Sequence, residues 1–117
     1  MKFWHKRAVD LALGRETRQQ MEEQRTWIER EPGNPRPYYH LAQFYRMEGK
    51  ADEARGLLLE AVRLDPDFAK AHVSLAEMYA VNREYRAAWH HARRAERGGE
   101  DRAVNLLGRY GVPEPNG

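Results

Sequence analysis

Residues 35–68 read PRPYYHLAQFYRMEGKADEARGLLLEAVRLDPDF, and residues 69–102 read AKAHVSLAEMYAVNREYRAAWHHARRAERGGEDR. Laid over one another at a shift of 34 residues, Leu41 falls on Leu75, Ala42 on Ala76 and Tyr45 on Tyr79. Ala54 falls on Ala88, and Ala61 on Ala95. Few other positions agree. Those that do carry helical spacing: Tyr38, Leu41, Ala42 and Tyr45 sit at i, i+3, i+4 and i+7. Ala54, Leu57, Leu58, Ala61 and Val62 form a second stripe, and Leu75, Ala76 and Tyr79 a third. The repeated positions are therefore those that face a neighbouring helix. Small residues at Ala42, Ala54, Ala61, Ala76, Ala88 and Ala95 let paired helices approach closely, while Tyr45, Leu58 and Tyr79 fill the space between.

Outward from this core, breakers punctuate the chain. Gly14, the cluster Glu31-Pro32-Gly33-Asn34-Pro35-Arg36-Pro37, Gly49, Asp65-Pro66-Asp67, Asn82 and Gly98-Gly99 separate pieces of ordinary helix length. No stretch alternates with period two, and Ala, Leu, Arg, Glu and Met dominate. Asp67 is placed to cap a helix beginning near Phe68, and Gly111 suits the left-handed position after a last helix. That last helix carries Ala103, Val104, Leu107 and Tyr110 on one stripe. Gly111–Gly117, with Pro113 and Pro115, is a tail that cannot continue it.

Two helices per unit of about 34 residues is the tetratricopeptide pattern. The first unit, Tyr38-x2-Leu41-Ala42-x2-Tyr45 then Ala54-x3-Leu58-x2-Ala61-x4-Pro66, closely resembles the tetratricopeptide repeat family. So does the second, His72-x2-Leu75-Ala76-x2-Tyr79 then Ala88-x3-Ala92-x2-Ala95. The resemblance implies an all-α, right-handed superhelix of antiparallel helix pairs. Its units are expected at 35–68 and 69–99, followed by a capping helix over 100–110 and a tail over 111–117. The second unit has Glu100 where the first has Pro66, which marks the end of the array. Shifted upstream, Trp4, Ala8, Leu11 and Pro32 fall on Tyr38, Ala42, Tyr45 and Pro66, but Arg7 replaces the leucine, and Gln20, Gln24 and Trp27 the small and apolar positions. Residues 1–34 are therefore expected as a degenerate first repeat or an N-terminal helical hairpin.

The composition narrows the function. The chain has 117 residues, 41% hydrophobic and 32% charged, too apolar for disorder and too charged for a membrane span. Lys+Arg is 20 against 18 Asp+Glu, a formal excess of +2 that falls short of a dedicated nucleic-acid binder. With no cysteine there is no disulfide framework, no cysteine zinc site and no thiol nucleophile. The basic start Met1-Lys2 leads into a short apolar stretch broken by Asp10, without the small-residue site of a signal peptide, and a cytoplasmic address is expected.

No catalytic constellation emerges. His5, His40, His72, His90 and His91 show no i, i+4 chelating pair, and HExxH, GxSxG and phosphate-loop patterns are missing. The histidines read as surface or stripe residues, and no enzyme activity, cofactor or metal is expected. Arg93, Arg94 and Arg97 with Trp89 nearby, preceded by Arg83 and Arg86, form a conceivable phosphate-contacting face. Glu84, Glu96, Glu100 and Asp101 offset much of that charge, which makes nucleic acid the weaker reading.

The resemblance instead implies a protein or peptide partner, held in a concave groove lined by the first helix of each unit. The residues on that face are Arg36, Tyr39, His40, Gln43, Arg46 and Met47, then Lys70, Val73, Ser74, Glu77, Ala80 and Val81. One subfamily grips C-terminal carboxylates with a cation-and-asparagine clamp. Here Tyr39, Gln43 and Ser74 stand in place of clamp residues and only Lys70 fits, so that function is not implied. A second candidate surface is Phe3, Trp4, Lys6 and Arg7, which with Val9 and Leu13 offer an amphipathic contact to a partner or to a membrane face. With so short a groove, tight binding calls for that second contact or for self-association. The expected role is an adaptor, scaffold or accessory subunit of a larger complex.

Overall fold

The computed structural model describes the backbone of residues 2–115 and the side chains of residues 14–115. Six helices follow one another: α1 (Lys2–Arg30), α2 (Pro35–Met47), α3 (Ala51–Leu64), α4 (Ala69–Val81), α5 (Tyr85–Arg97) and α6 (Arg102–Arg109). There is no strand among the described residues. The chain folds as an all-α helical repeat, in which α2 pairs with α3, α4 with α5, and α6 closes the stack.

The alanines explain the pairing. Ala42, Ala54, Ala61, Ala76, Ala88 and Ala95 are all fully buried, so each helix backbone comes close to its neighbour. The larger Leu41, Leu58 and Leu75 fill the seams between. Burying a leucine side chain contributes about 1.5–3 kcal/mol. One core cluster spans α2, α3 and α4 around Leu58 and Leu75, and a second spans α4, α5 and α6 around Val73, Trp89 and Leu107. Tyr79 packs against both and joins them.

The turns repeat as faithfully as the core. Gly49 takes φ 78° and, 34 positions later, Arg83 takes φ 62°. Each sits one residue beyond a helix cap, with the next amide donating back to a tyrosine carbonyl: Lys50 N to Tyr45 O and Glu84 N to Tyr79 O, both 2.9 Å. Gly99 and Gly111 end α5 and α6 in the same way, with Glu100 N to Ala95 O and Val112 N to Leu107 O, both 2.9 Å. This left-handed closure satisfies carbonyls that the helix end leaves unpaired. At the start of α2, the Asn34 side chain accepts from Arg36 N at 3.0 Å, with Pro35 in the first helical turn.

Three expectations need correction. Residues 1–34 form neither a helix pair nor a degenerate repeat: α1 runs uninterrupted through Gly14 over 29 residues. Gly14 costs a helix only about 1 kcal/mol, and its strong helix-forming neighbours Leu13, Arg15 and Glu16 carry the helix across it. The first true breaker is Pro32-Gly33. Asp67 does not cap α4, whose N-cap Phe68 has no side-chain cap bond. Asp65 takes the local role instead, accepting from Asp67 N at 3.0 Å in an Asx-type turn around Pro66. Tyr110, expected on the packing stripe of α6, is exposed, while Ala103 and Leu107 of that stripe are buried.

Candidate functional site

Side chains bridge the first helices of the pairs, α2 and α4, and α6 packs against α4; the face they share has three stations.

The first station is aromatic and cationic. Arg36, Tyr39, His40 and Lys70 gather with Asp65, Asp67 and Phe68 around a depression of about 500 Å³. The Tyr39 ring rests on Phe68, with centroids 5.4 Å apart, and meets the edge of His40 at 5.5 Å. Tyr39 thus covers an apolar edge and is half-buried. Its neighbour Tyr38 turns the other way and donates its hydroxyl to Pro32 O at 2.8 Å. The His40 ring is open to solvent on one side, yet desolvation on the other, followed by the Lys70 and Arg36 charges, holds it below the usual histidine range. It is a neutral, amphipathic group at neutral pH.

The second station is polar and mutually satisfied. Gln43 Nε2 donates to Ser74 Oγ at 3.2 Å, and Arg46 Nη1 donates to Gln43 Oε1 at 3.4 Å. Arg46 also lies 3.9 Å from Glu77 Oε1, a partly exposed pair of small energetic weight. These bonds tie α2 to α4 across the repeat boundary. A partner's polar groups would have to exchange with them.

The third station is apolar. A groove of about 510 Å³ runs between the ends of α2 and α4 and α6. Its wall includes Ala80, Val81, Leu106, Tyr110 and Val112, with Arg46 and Glu77 at the rim. Val81 is 82% exposed and Tyr110 74%, and Met47 at the end of α2 is 77% exposed. Among the described residues, no other large hydrophobic residue is this open; Leu59 follows at 40%. Val81 at the end of α4 and Tyr110 at the cap of α6 both line the groove, and so leave an apolar surface open to water there.

Two expected groove residues are misplaced. Val73 is fully buried in the cluster with Ala88, Trp89 and Leu107, because α5 and α6 close over that side of α4. It cannot touch a partner. Ser74 is likewise buried, with its hydroxyl taken by Gln43. Conversely, sequence reasoning missed Leu106 and Tyr110. Their i, i+4 spacing marks a second face of α6, a signal hidden by assigning the whole helix to capping. Phe3, Trp4, Lys6 and Arg7 fall within α1, but their side chains lie outside the described residues.

Of the histidines read as surface or stripe residues, His72 and His91 lie on the packing side and are paired in the interior. His72 Nδ1 and His91 Nδ1 lie 2.9 Å apart, and both rings are buried. His72 Nε2 faces Pro66 O at 2.7 Å, so it must carry the proton. His72 Nδ1 is then bare and accepts from the His91 Nδ1–H. The His91 ring also stacks on Tyr79 at 5.5 Å. Arg94 adds a second donor to Pro66 O at 2.8 Å, so α4 and α5 both hold the turn after α3. No group of three histidine or carboxylate side chains among the described residues is placed to hold a metal ion. No helix described is long and apolar enough to cross a membrane.

Paired antiparallel helices, alanine seams and a shared face on the first helices define a helical-repeat protein. The family model for the tetratricopeptide repeat matches residues 35–78, which cover α2, α3 and most of α4. Over that stretch the chain is similar to the tetratricopeptide repeat family. No curated protein matches it. Such repeats generally mediate protein–protein interaction and are typically non-catalytic.

Proposed function

We propose that this chain is a small adaptor that captures a segment of a partner protein along the shared face of α2, α4 and α6. The observation that carries this reading is the apolar third station, where Val81 and Tyr110 stand open beside a groove of about 510 Å³. Leaving such side chains in water forfeits burial energy, and covering them restores it. The occupant is an extended or helical segment with an apolar anchor for that groove. Its polar part lies along Gln43, Arg46 and Glu77, and its far end meets Arg36, Tyr39, His40 and Lys70. Because the helices are already locked by their alanine seams, little conformational entropy is lost on the receiving side.

Capture from native lysate with identification by mass spectrometry tests this, comparing the unaltered chain with Val81→Glu/Tyr110→Glu. Both positions are exposed, so the double variant keeps its helical circular dichroism. It is expected to lose the specific partner at least tenfold in recovered amount. If the partner is retained by this variant and lost on deleting residues 1–13, the N-terminal helix is the interface and the groove reading fails. Recovery of nucleic acid instead of protein equally contradicts it.

A further inference from the structure

The outer face of α5, opposite the groove, holds a second recognition surface. Arg86, His90, Arg93 and Arg97 follow one another at i, i+4, i+7 and i+11, one stripe of the helix. Trp89 lies beside them, and together they line a depression of about 420 Å³. The tail after α6 folds back onto this stripe. Gly111 reverses the chain at φ 66°, Val112 packs on the core, and Val112 O accepts from Trp89 Nε1 at 3.2 Å. That places the Glu114 carboxylate against Arg93, which donates from Nη2 to Oε1 at 2.7 Å and to Oε2 at 2.8 Å, and from Nε to Oε2 at 3.0 Å. The Arg93 guanidinium lies over the Trp89 ring, 5.2 Å from its centroid.

A guanidinium fixed by an aromatic face and used in several bonds is built for a carboxylate. These hydrogen bonds raise Arg93 and lower Glu114. Yet the pair is open to water, with side chains 43% and 39% exposed, so its net stabilisation is small and the carboxylate is exchangeable. Arg93 also reaches Glu96 at 3.1 Å, and Arg94 is turned away toward Asp67 and Pro66. Arg86 and Arg97 pair with no carboxylate among the described residues, so the site carries more positive charge than Glu114 neutralises.

We infer that this face is a docking site for an acidic, proline-containing segment of a partner protein, and that Glu114 of the chain's own tail occupies it as an intramolecular stand-in. The segment displaces Glu114 from Arg93 and reaches Arg86 and Arg97 with further carboxylates. The tail is thereby a competitor at high local concentration, which lowers the apparent affinity for any outside ligand.

The test is fluorescence anisotropy with a labelled peptide, Gly-Val-Pro-Glu-Pro-Glu-Glu, and its copy with glutamine at each glutamate. The full chain is compared with Glu114→Gln and with Glu114→Gln/Arg93→Gln. Freeing the site is expected to tighten the acidic peptide about five- to tenfold relative to the unaltered chain. The double variant loses that gain, and the glutamine peptide binds to none of the three. Thermal midpoints keep folding in view, since all the altered groups are at the surface. Equal affinity for the unaltered chain and Glu114→Gln overturns the proposal, as does absence of binding to Glu114→Gln at millimolar peptide. Tighter binding of a 12-nucleotide oligouridylate than of the acidic peptide overturns it too, in favour of nucleic acid.

Discussion

Arg83 is the residue at which the repeat is least comfortable. It takes the left-handed conformation that Gly49 takes one period earlier, with a φ of 62° against 78°. An arginine there bears a Cβ that this conformation disfavours, at a cost of about 1 kcal/mol or more. Its backbone is nevertheless required, because the turn delivers Glu84 N to Tyr79 O and Arg83 N to Ala80 O. The side chain is exposed and makes no contact that the turn needs. Arg83→Gly is therefore expected to raise stability by about 0.5–1 kcal/mol, net of the greater freedom of glycine in the unfolded chain. Urea denaturation measures this. A fall in stability would mean that the arginine side chain contributes more than its backbone strain costs.

At the scale of elements, the histidine pair makes the α4–α5 seam sensitive to acid. Burial, then the neighbouring His72, His90 and Arg94, push His91 down to about 4. His72 is lowered chiefly by burial, with opposition from its bond to Pro66 O. The charged groups around the pair are His90 and Arg94 from α5 and Asp65 from the preceding turn. Both histidines have folded values below their unfolded ones, so the unfolded chain binds more protons between them. Stability is full above about pH 6.5 and falls as the pH drops from there toward 4. For His91 alone the loss is on the order of 3 kcal/mol. Denaturation midpoints at pH 7.5 and pH 5 check this, with His91→Phe as comparison. That variant is expected to show a shallower pH dependence; an unchanged one would place the acid sensitivity elsewhere.

The same scale shows what the sequence made legible. The pairs α2–α3 and α4–α5 were readable because close helix packing demands alanine at fixed positions, and Ala42, Ala54 and Ala61 recur one period on. Helix α1 was not, because a glycine flanked by helix formers looks like a stop in isolation. Whether it stops a helix depends on its neighbours. On the candidate site, Arg36, Tyr39, His40 and Lys70 come together because the starts of α2 and α4 line one depression. Val73 was misread because its position suits a groove only if nothing packs on that side of α4, and α5 with α6 does. Tyr110 was missed for the complementary reason. Its apolar side chain suggested burial, and only the path of the chain after Gly111 shows that it is left open. The histidine pair had no local signal, since 19 residues separate the partners.

Over the whole molecule, the two faces have different chemistry. The groove side is apolar at one end and aromatic–cationic at the other, while the outer side of α5 is an arginine stripe closed by the tail. The central claim is that the α2–α4–α6 face receives a partner segment. It is tested most directly by photo-crosslinking in native lysate with benzoylphenylalanine placed singly at position 81 or position 59. Val81 stands open in the groove, whereas Leu59 is exposed on α3 outside it. The account predicts a discrete protein adduct from position 81 that is absent from position 59 and is abolished by Tyr110→Glu. Adducts of equal yield from both positions, or from position 59 alone, would contradict it.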